Sequence, residues 1–250
     1  MTPPILGLPR RLILAGVILA LASAAAHAKP FLVLLDPGHT PQAPGATSSR
    51  GTTERTFNQN IARLLMEKLA AVDGLRAATT NGPDENVGLS ERPKLANELK
   101  ADLFISLHHD SVQPQFLKSW DYDGASRKYC DEFSGYSIFV AAKNPSFGES
   151  SAFARIAANK LEQKGLAPSL YHAQDIPGEG RTLLDASLGI YDRSDLAVLR
   201  ENKRPAILLE CGFIVNRGEE ERLRDPAYQS LLVDALYDAV LEYKRSVEAR

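Results

Sequence analysis

The sequence predicts a single α/β domain, a mostly parallel central sheet with helices on both faces. Three observations predict it. Short apolar runs alternate along residues 29–250 with longer segments whose apolar residues recur every three or four positions. The short runs are continuous rather than alternating, as strands covered on both faces require. No internal repeat, low-complexity tract or Pro/Ser-rich linker divides the chain after residue 29.

In chain order, residues 31–35 read as a buried strand. The helical pattern of 54–72 follows, with Phe57, Ile61, Leu64, Leu65 and Leu69 on one face. A weaker strand is expected at 75–79. Ser90 is placed as the N-cap of a helix over 91–100, with Pro93 tolerable in its first turn. The runs 104–107, 136–140 and 206–209 read as further buried strands, and 150–164 and 227–246 as further helices. The last helix is expected to bury Leu231, Leu232, Leu236, Val240 and Leu241. Two segments are expected to stay irregular. Residues 112–134 are rich in polar and aromatic side chains, among them Trp120, Tyr122 and Tyr129, and 175–193 carry Pro177, Gly178, Gly180 and Gly189. Long loops in compact domains are often functional, so each reads either as a wall of a binding groove or as a surface insertion.

Composition bounds the function. The 250 residues are 44% hydrophobic and 24% charged, which excludes a disordered chain or a disulfide scaffold. With 29 Lys and Arg against 31 Asp and Glu, the chain has no basic excess to neutralise phosphates, so no nucleic-acid partner is expected. Arg10-Arg11, an apolar run over 12–21 and small residues ending Ala26-His27-Ala28 read as a signal peptide over 1–28. The alternative is a membrane anchor, but the uninterrupted apolar part is shorter than the roughly 20 residues a bilayer span needs. Export is therefore expected, to the periplasm, with 29–250 as the mature domain and no membrane span after cleavage. The arginine pair also permits a twin-arginine route. Cys130 and Cys211 could pair in an oxidising compartment or stay as buried thiols, and spacing leaves both open.

Polar residues gather where the strands end. The first run leads into Asp36-Pro37-Gly38-His39, the third ends Ser106-Leu107-His108-His109-Asp110, and the last ends Leu209-Glu210-Cys211-Gly212. Open α/β sheets bind ligands outside the carboxyl ends of their strands. Glu54 opens the first long helix, where the macrodipole favours a carboxylate. Two imidazoles and a carboxylate form a known catalytic zinc set that leaves a position open for water, and a further carboxylate could take a proton from it. Period-two alternation puts His108 on the face of Phe104 and Ser106 and His109 opposite, and separates Glu210 from Cys211, which reads as packing. His172 reads as a hydrogen-bonded residue of a polar rim rather than a ligand.

Four motifs then coincide. DPGHTPQAPGATSSRGTTERTFNQNIA (36–62), LSERPKLAN (89–97), FISLHHDS (104–111) and PAILLECGFIVN (205–216) resemble, in order and spacing, those of the zinc-dependent N-acetylmuramoyl-L-alanine amidases, the Amidase_3 family. The resemblance spans about 31–245. It implies His39, Glu54 and His108 as the zinc ligands and Glu210 as the catalytic glutamate. It also implies hydrolysis of the amide between the lactyl group of N-acetylmuramic acid and L-alanine in peptidoglycan. Some relatives are held inactive until a partner acts, so the resemblance leaves an activator protein open as a partner. Two departures stand out: Thr-Pro-Gln-Ala-Pro follows His39 where the family has a Gly-rich stretch with an Asp, and 112–134 aligns with no family segment. The 175–193 segment is also longer than the family's usual link, and no cell-wall-binding domain is recognised beside the catalytic one. Trp120, Tyr122 and Tyr191 could line a groove for the sugar-peptide, or simply pack. Another zinc hydrolase of the cell wall and a catalytically silent peptidoglycan-binding module are the alternatives.

Overall fold

A computed structural model describes residues 29–250, and the leader expected over 1–28 lies outside the described residues. Along the chain come β1 (Phe31–Pro37), α1 (Glu54–Leu69), β2 (Leu75–Thr79), α2 (Glu91–Leu99), β3 (Leu103–Asp110), β4 (Lys118–Tyr122) and β5 (Ala125–Tyr129). They are followed by β6 (Ser137–Val140), α3 (Phe147–Gln163), β7 (Thr182–Asp185), β8 (Ile190–Asp192), α4 (Ala197–Arg200), β9 (Ala206–Phe213), α5 (Arg217–Arg224) and α6 (Pro226–Glu248).

Seven strands form one sheet in the order β2-β1-β3-β9-β6-β8-β7. β2, β1, β3 and β9 run parallel, so the carboxyl ends of β1, β3 and β9 share one edge. Direction reverses at β6, which pairs antiparallel with β9, while β8 is parallel to β6 and β7 antiparallel to β8. The sheet is thus mostly parallel, as expected.

Alternation along the central strands sorts the core into two layers. Val33, Leu35, Ile105, Leu107, Ile207 and Leu209 pack under α1, α3 and α6. Leu32, Leu34, Phe104 and Leu208 face Ala96 of α2 and Val198 and Leu199 of α4. Each fully buried Leu contributes roughly 1.5–3 kcal/mol, so the two layers together fix the strand ends firmly.

Several expectations are corrected in detail. On α6, Leu231 is 41% exposed and Leu241 only partly buried, and the buried stripe is Leu232, Val233, Leu236, Ala239, Val240 and Tyr243. At about 100° per residue that stripe centres on Leu236 and Tyr243, and Leu231 and Leu241 fall outside its edges. Ser90 makes no capping bond through its side chain, and the Glu91 carboxylate instead accepts from the Gly88 amide at 2.7 Å.

The two segments expected to be irregular are so only in part. Within 112–134, β4 and β5 pair as an antiparallel hairpin. Its two-residue turn is Asp123-Gly124, both at positive φ, the conformation that suits a tight hairpin. Within 175–193, β7 and β8 extend the main sheet. Both cysteines are free and buried. Cys130 packs with Tyr171, Phe213 and Val215, whereas Cys211 lies in the larger core layer. No helix among the described residues is long and apolar enough to cross a membrane.

Candidate functional site

The chain leaves β1 through Gly38 and His39. A side chain at Gly38 would run into the His108 ring, so only glycine lets the turn pass this close to β3. His39 holds a left-handed backbone, φ 72°, that a non-glycine residue seldom adopts. Its carbonyl is fixed by Arg92, which donates at 2.7 Å, and by Asn81 at 3.4 Å. Arg92 is itself buried and donates to Asp36 at 2.7 Å and to the Pro37 carbonyl at 3.0 Å. Asp36 also accepts from Thr80 at 2.6 Å and Ser106 at 2.7 Å. The guanidinium therefore serves as a brace beneath the His39 turn.

Glu54, buried at the first position of α1, faces both imidazoles. Its Oε2 lies 2.8 Å from His39 Nε2 and its Oε1 2.9 Å from His108 Nδ1, while the Ala46 amide donates to Oε2 at 3.1 Å. Burial pushes the Glu54 carboxyl up, but the hydrogen bonds and charges of His108 and His39 outweigh it and hold the group well below the usual carboxylate range. The two imidazole rings meet edge to face with centroids 5.0 Å apart. Ligand atoms of His39, Glu54 and His108 all lie within 4.8 Å of one another, a spacing one metal ion can span. His39 and His108 keep 28% and 19% of their side chains exposed, so the cluster is open on one side.

Glu210 stands on β9 opposite His108 in the pairing of β3 with β9. Its Oε2 is buried with no hydrogen-bond partner. Burial, with the negative charges of Asp110 and Glu54, pushes its pKa well above the ordinary carboxylate value. Asp110 closes this side of the site. It is buried and meets His172 Nε2 at 2.6 Å, and His172 Nδ1 meets Glu179 at 2.9 Å. Burial disfavours a charged His172, but its two carboxylate partners prevail and raise it to about 9. His109 turns the other way, onto Phe57 and Asn58 of α1, and burial lowers its pKa to about 3, which keeps it neutral.

The structure thus brings together His39, Glu54, His108 and Glu210, the four residues singled out from sequence, at one sheet edge. His109 and Cys211 point away from it, as alternation predicts. His172 is hydrogen-bonded as expected but lies buried rather than on a rim. Tyr191 cannot line a groove: it is fully buried and its hydroxyl donates to the Ser169 carbonyl at 2.6 Å. Trp120 packs on the 46–54 loop, donating to the Ser49 carbonyl at 2.9 Å. The Arg92 brace and the pairing of Asp110 with His172 were not singled out, although Arg92 sits in a quoted motif and Asp110 ends the HHD run.

Comparison with known proteins identifies the family and the fold. The family model described as N-acetylmuramoyl-L-alanine amidase (Amidase_3) matches residues 33–242. N-acetylmuramoyl-L-alanine amidase AmiC of Escherichia coli is 24% identical over 86% of this chain and 53% of its own length. An N-acetylmuramoyl-L-alanine amidase of Mycobacterium tuberculosis is 26% identical over 90% of this chain and 94% of its own. The chain therefore spans about half of the first relative and nearly all of the second. The crystal structure of the amidase Ami1 from Mycobacterium smegmatis shares the fold, with TM-score 0.68 and 22% identity over 86% of this chain and 97% of that one.

Proposed function

The chain belongs to the N-acetylmuramoyl-L-alanine amidase family, Amidase_3, and from that membership we propose that it hydrolyses the amide between the N-acetylmuramic acid lactyl group and L-alanine in peptidoglycan. The observation that carries the reading is the His39–Glu54–His108 cluster, its ligand atoms within 4.8 Å, beside the unpartnered buried Oε2 of Glu210. Two imidazoles, one carboxylate and an open side fit a catalytic zinc, which keeps three protein ligands and a free position. The side chains of His39, Glu54 and His108 would hold it. The chemistry a zinc ion supplies when bound there is polarisation of the scissile carbonyl and acidification of an attacking water.

The chain's own groups do the rest. Glu210 takes the proton of the attacking water on its carboxylate and returns it to the leaving alanine nitrogen. Its place on β9 opposite His108, with Oε2 buried and unpartnered, supports that role. Arg92 and Asp36 keep the His39 turn in its left-handed form, and the fully hydrogen-bonded Asp110 leaves Glu210 as the carboxylate with a free oxygen. The leader read in 1–28 suits a substrate that lies outside the cytoplasmic membrane, and the periplasm is the proposed compartment.

The test is incubation of residues 29–250 with purified peptidoglycan, with and without a chelator, with products identified by mass. Chelator-sensitive release of peptides that begin with L-alanine supports the proposal. Cleavage at another peptide bond, or release that ignores the chelator, overturns it.

A further inference from the structure

The loop between His39 and Glu54 is a built object. From residue 46 to 54 it forms a small hairpin: the Glu54 amide donates to the Ala46 carbonyl at 2.8 Å, Thr47 bridges Thr53, and the Ser48 amide donates to the Thr52 carbonyl at 2.8 Å. The base of this hairpin carries Glu54, whose Oε2 also accepts from the Ala46 amide. The tip, residues 48–51, is gripped by α5 and by the segment that follows β9.

The grip centres on Glu220 of α5, which is fully buried. Ser48 donates to its Oε1 at 2.8 Å, Arg50 donates to its Oε2 at 3.0 Å, and Ser49 donates to the same oxygen. The Ser49 amide donates to the Ile214 carbonyl at 2.8 Å, and Trp120 caps the Ser49 carbonyl. The Arg127 guanidinium lies where a side chain at Gly51 would stand. A buried carboxylate with three donors from consecutive residues fixes those residues tightly, because charge-assisted bonds are the stronger class and their loss strands a charge.

We propose that Glu220 is a positioning residue for the candidate metal centre: by clamping Ser48, Ser49 and Arg50 it sets where the hairpin base presents Glu54 to His39 and His108. The proposal rests on the zinc reading above for its functional meaning, whereas the clamp itself is independent of any bound ion. Groups that orient a metal ligand typically change affinity by about 10–100-fold when removed. Glu220 acts one step further out, through the loop, so the lower end applies.

The test compares wild type with Glu220→Gln and, as a structural comparator, Glu219→Gln. Glu219 is the neighbouring buried carboxylate, but it accepts from the Gly135 and Phe213 amides instead of the loop. Zinc dissociation constants come from competition with a chromogenic chelator, and amide exchange is followed in the metal-free proteins. Glu220→Gln is expected to weaken zinc about tenfold and to speed exchange at the Ser48, Ser49 and Glu54 amides, while Glu219→Gln leaves both near wild type despite lower stability. Unchanged zinc affinity and exchange in Glu220→Gln, or equal effects in the two variants, overturn the proposal. If Glu220→Gln does not fold, Ser49→Ala removes a single donor and is expected to weaken zinc about threefold, the size of one ordinary hydrogen bond. An unchanged constant there overturns it too. Wild type that binds no zinc sinks the zinc reading, and exchange in the metal-free proteins then decides the clamp alone.

Discussion

Replacing His172 by Gln should make the protein's stability respond differently to pH, with an amplitude set by two carboxylates. His172 is held between Asp110 at 2.6 Å and Glu179 at 2.9 Å, and these partners raise its pKa from 6.5 to about 9. The imidazole is largely buried, so solvent screens the attraction weakly. A group whose folded pKa exceeds its unfolded one adds stability that is fully present below the unfolded value and fades as pH climbs through the folded value. The window is therefore pH 6.5 to about 9. With each pKa unit equal to about 1.4 kcal/mol, the rise from 6.5 to about 9 amounts to roughly 3 kcal/mol. For a domain of this size that is a melting-temperature difference of about 6–12 °C. Glutamine can donate to one carboxylate but carries no charge, so His172→Gln should lose most of this stability at pH 6. Urea unfolding of metal-free wild type and variant, at half-unit steps from pH 6 to 9.5, reads the gap directly. It should be widest at pH 6 and shrink steadily above 7. A gap that stays constant over this range would refute a charged His172 and leave only lost packing.

Three further outcomes follow from the same geometry. Glu210→Ala should retain bound zinc and lose about two to four orders of magnitude in amide hydrolysis, the usual size of a general base; full activity would remove Glu210 from the mechanism. His39→Ala should reduce zinc stoichiometry measured by atomic absorption, and an unaltered content would take His39 out of the ligand set. Arg92→Met leaves the Asp36 carboxylate buried without its cation, a change that costs about 3–5 kcal/mol. Thermal unfolding should fall accordingly, and a variant as stable as wild type would show that Arg92 does not brace the His39 turn.

The readable part of this protein is the part written in short range. Continuous apolar runs place β1, β3 and β9, and the polar residue after each run falls at the sheet edge because strands end where burial ends. Glu54 was legible because it opens an amphipathic pattern. The hairpin of β4 and β5 escaped because its strands, Lys118–Tyr122 and Ala125–Tyr129, are largely exposed and carry little apolar periodicity. Its one local signal was the Asp123-Gly124 pair. The reversal at β6 left no trace either, since a buried run reads the same in both directions. The pairing of Asp110 with His172 and the grip of Glu220 on Ser48 join residues far apart in sequence. Only tertiary packing brings such groups together, so no spacing rule could have found them.

The place of β9 in the strand order has a consequence for how the molecule comes together and falls apart. It is the middle strand, flanked by β3 on one side and β6 on the other, and the two three-stranded flanks, β2-β1-β3 and β6-β8-β7, are joined in the sheet through it alone. It is also the last strand in the chain, so both flanks must wait for it, with the loop-closure cost of a partner about a hundred residues upstream. Until it inserts, two strand edges lie bare and Glu210 is nowhere near His108. Assembly of the site and closure of the sheet are thus one event. Loss of β9 would divide the sheet in two and part Glu210 from His39, Glu54 and His108.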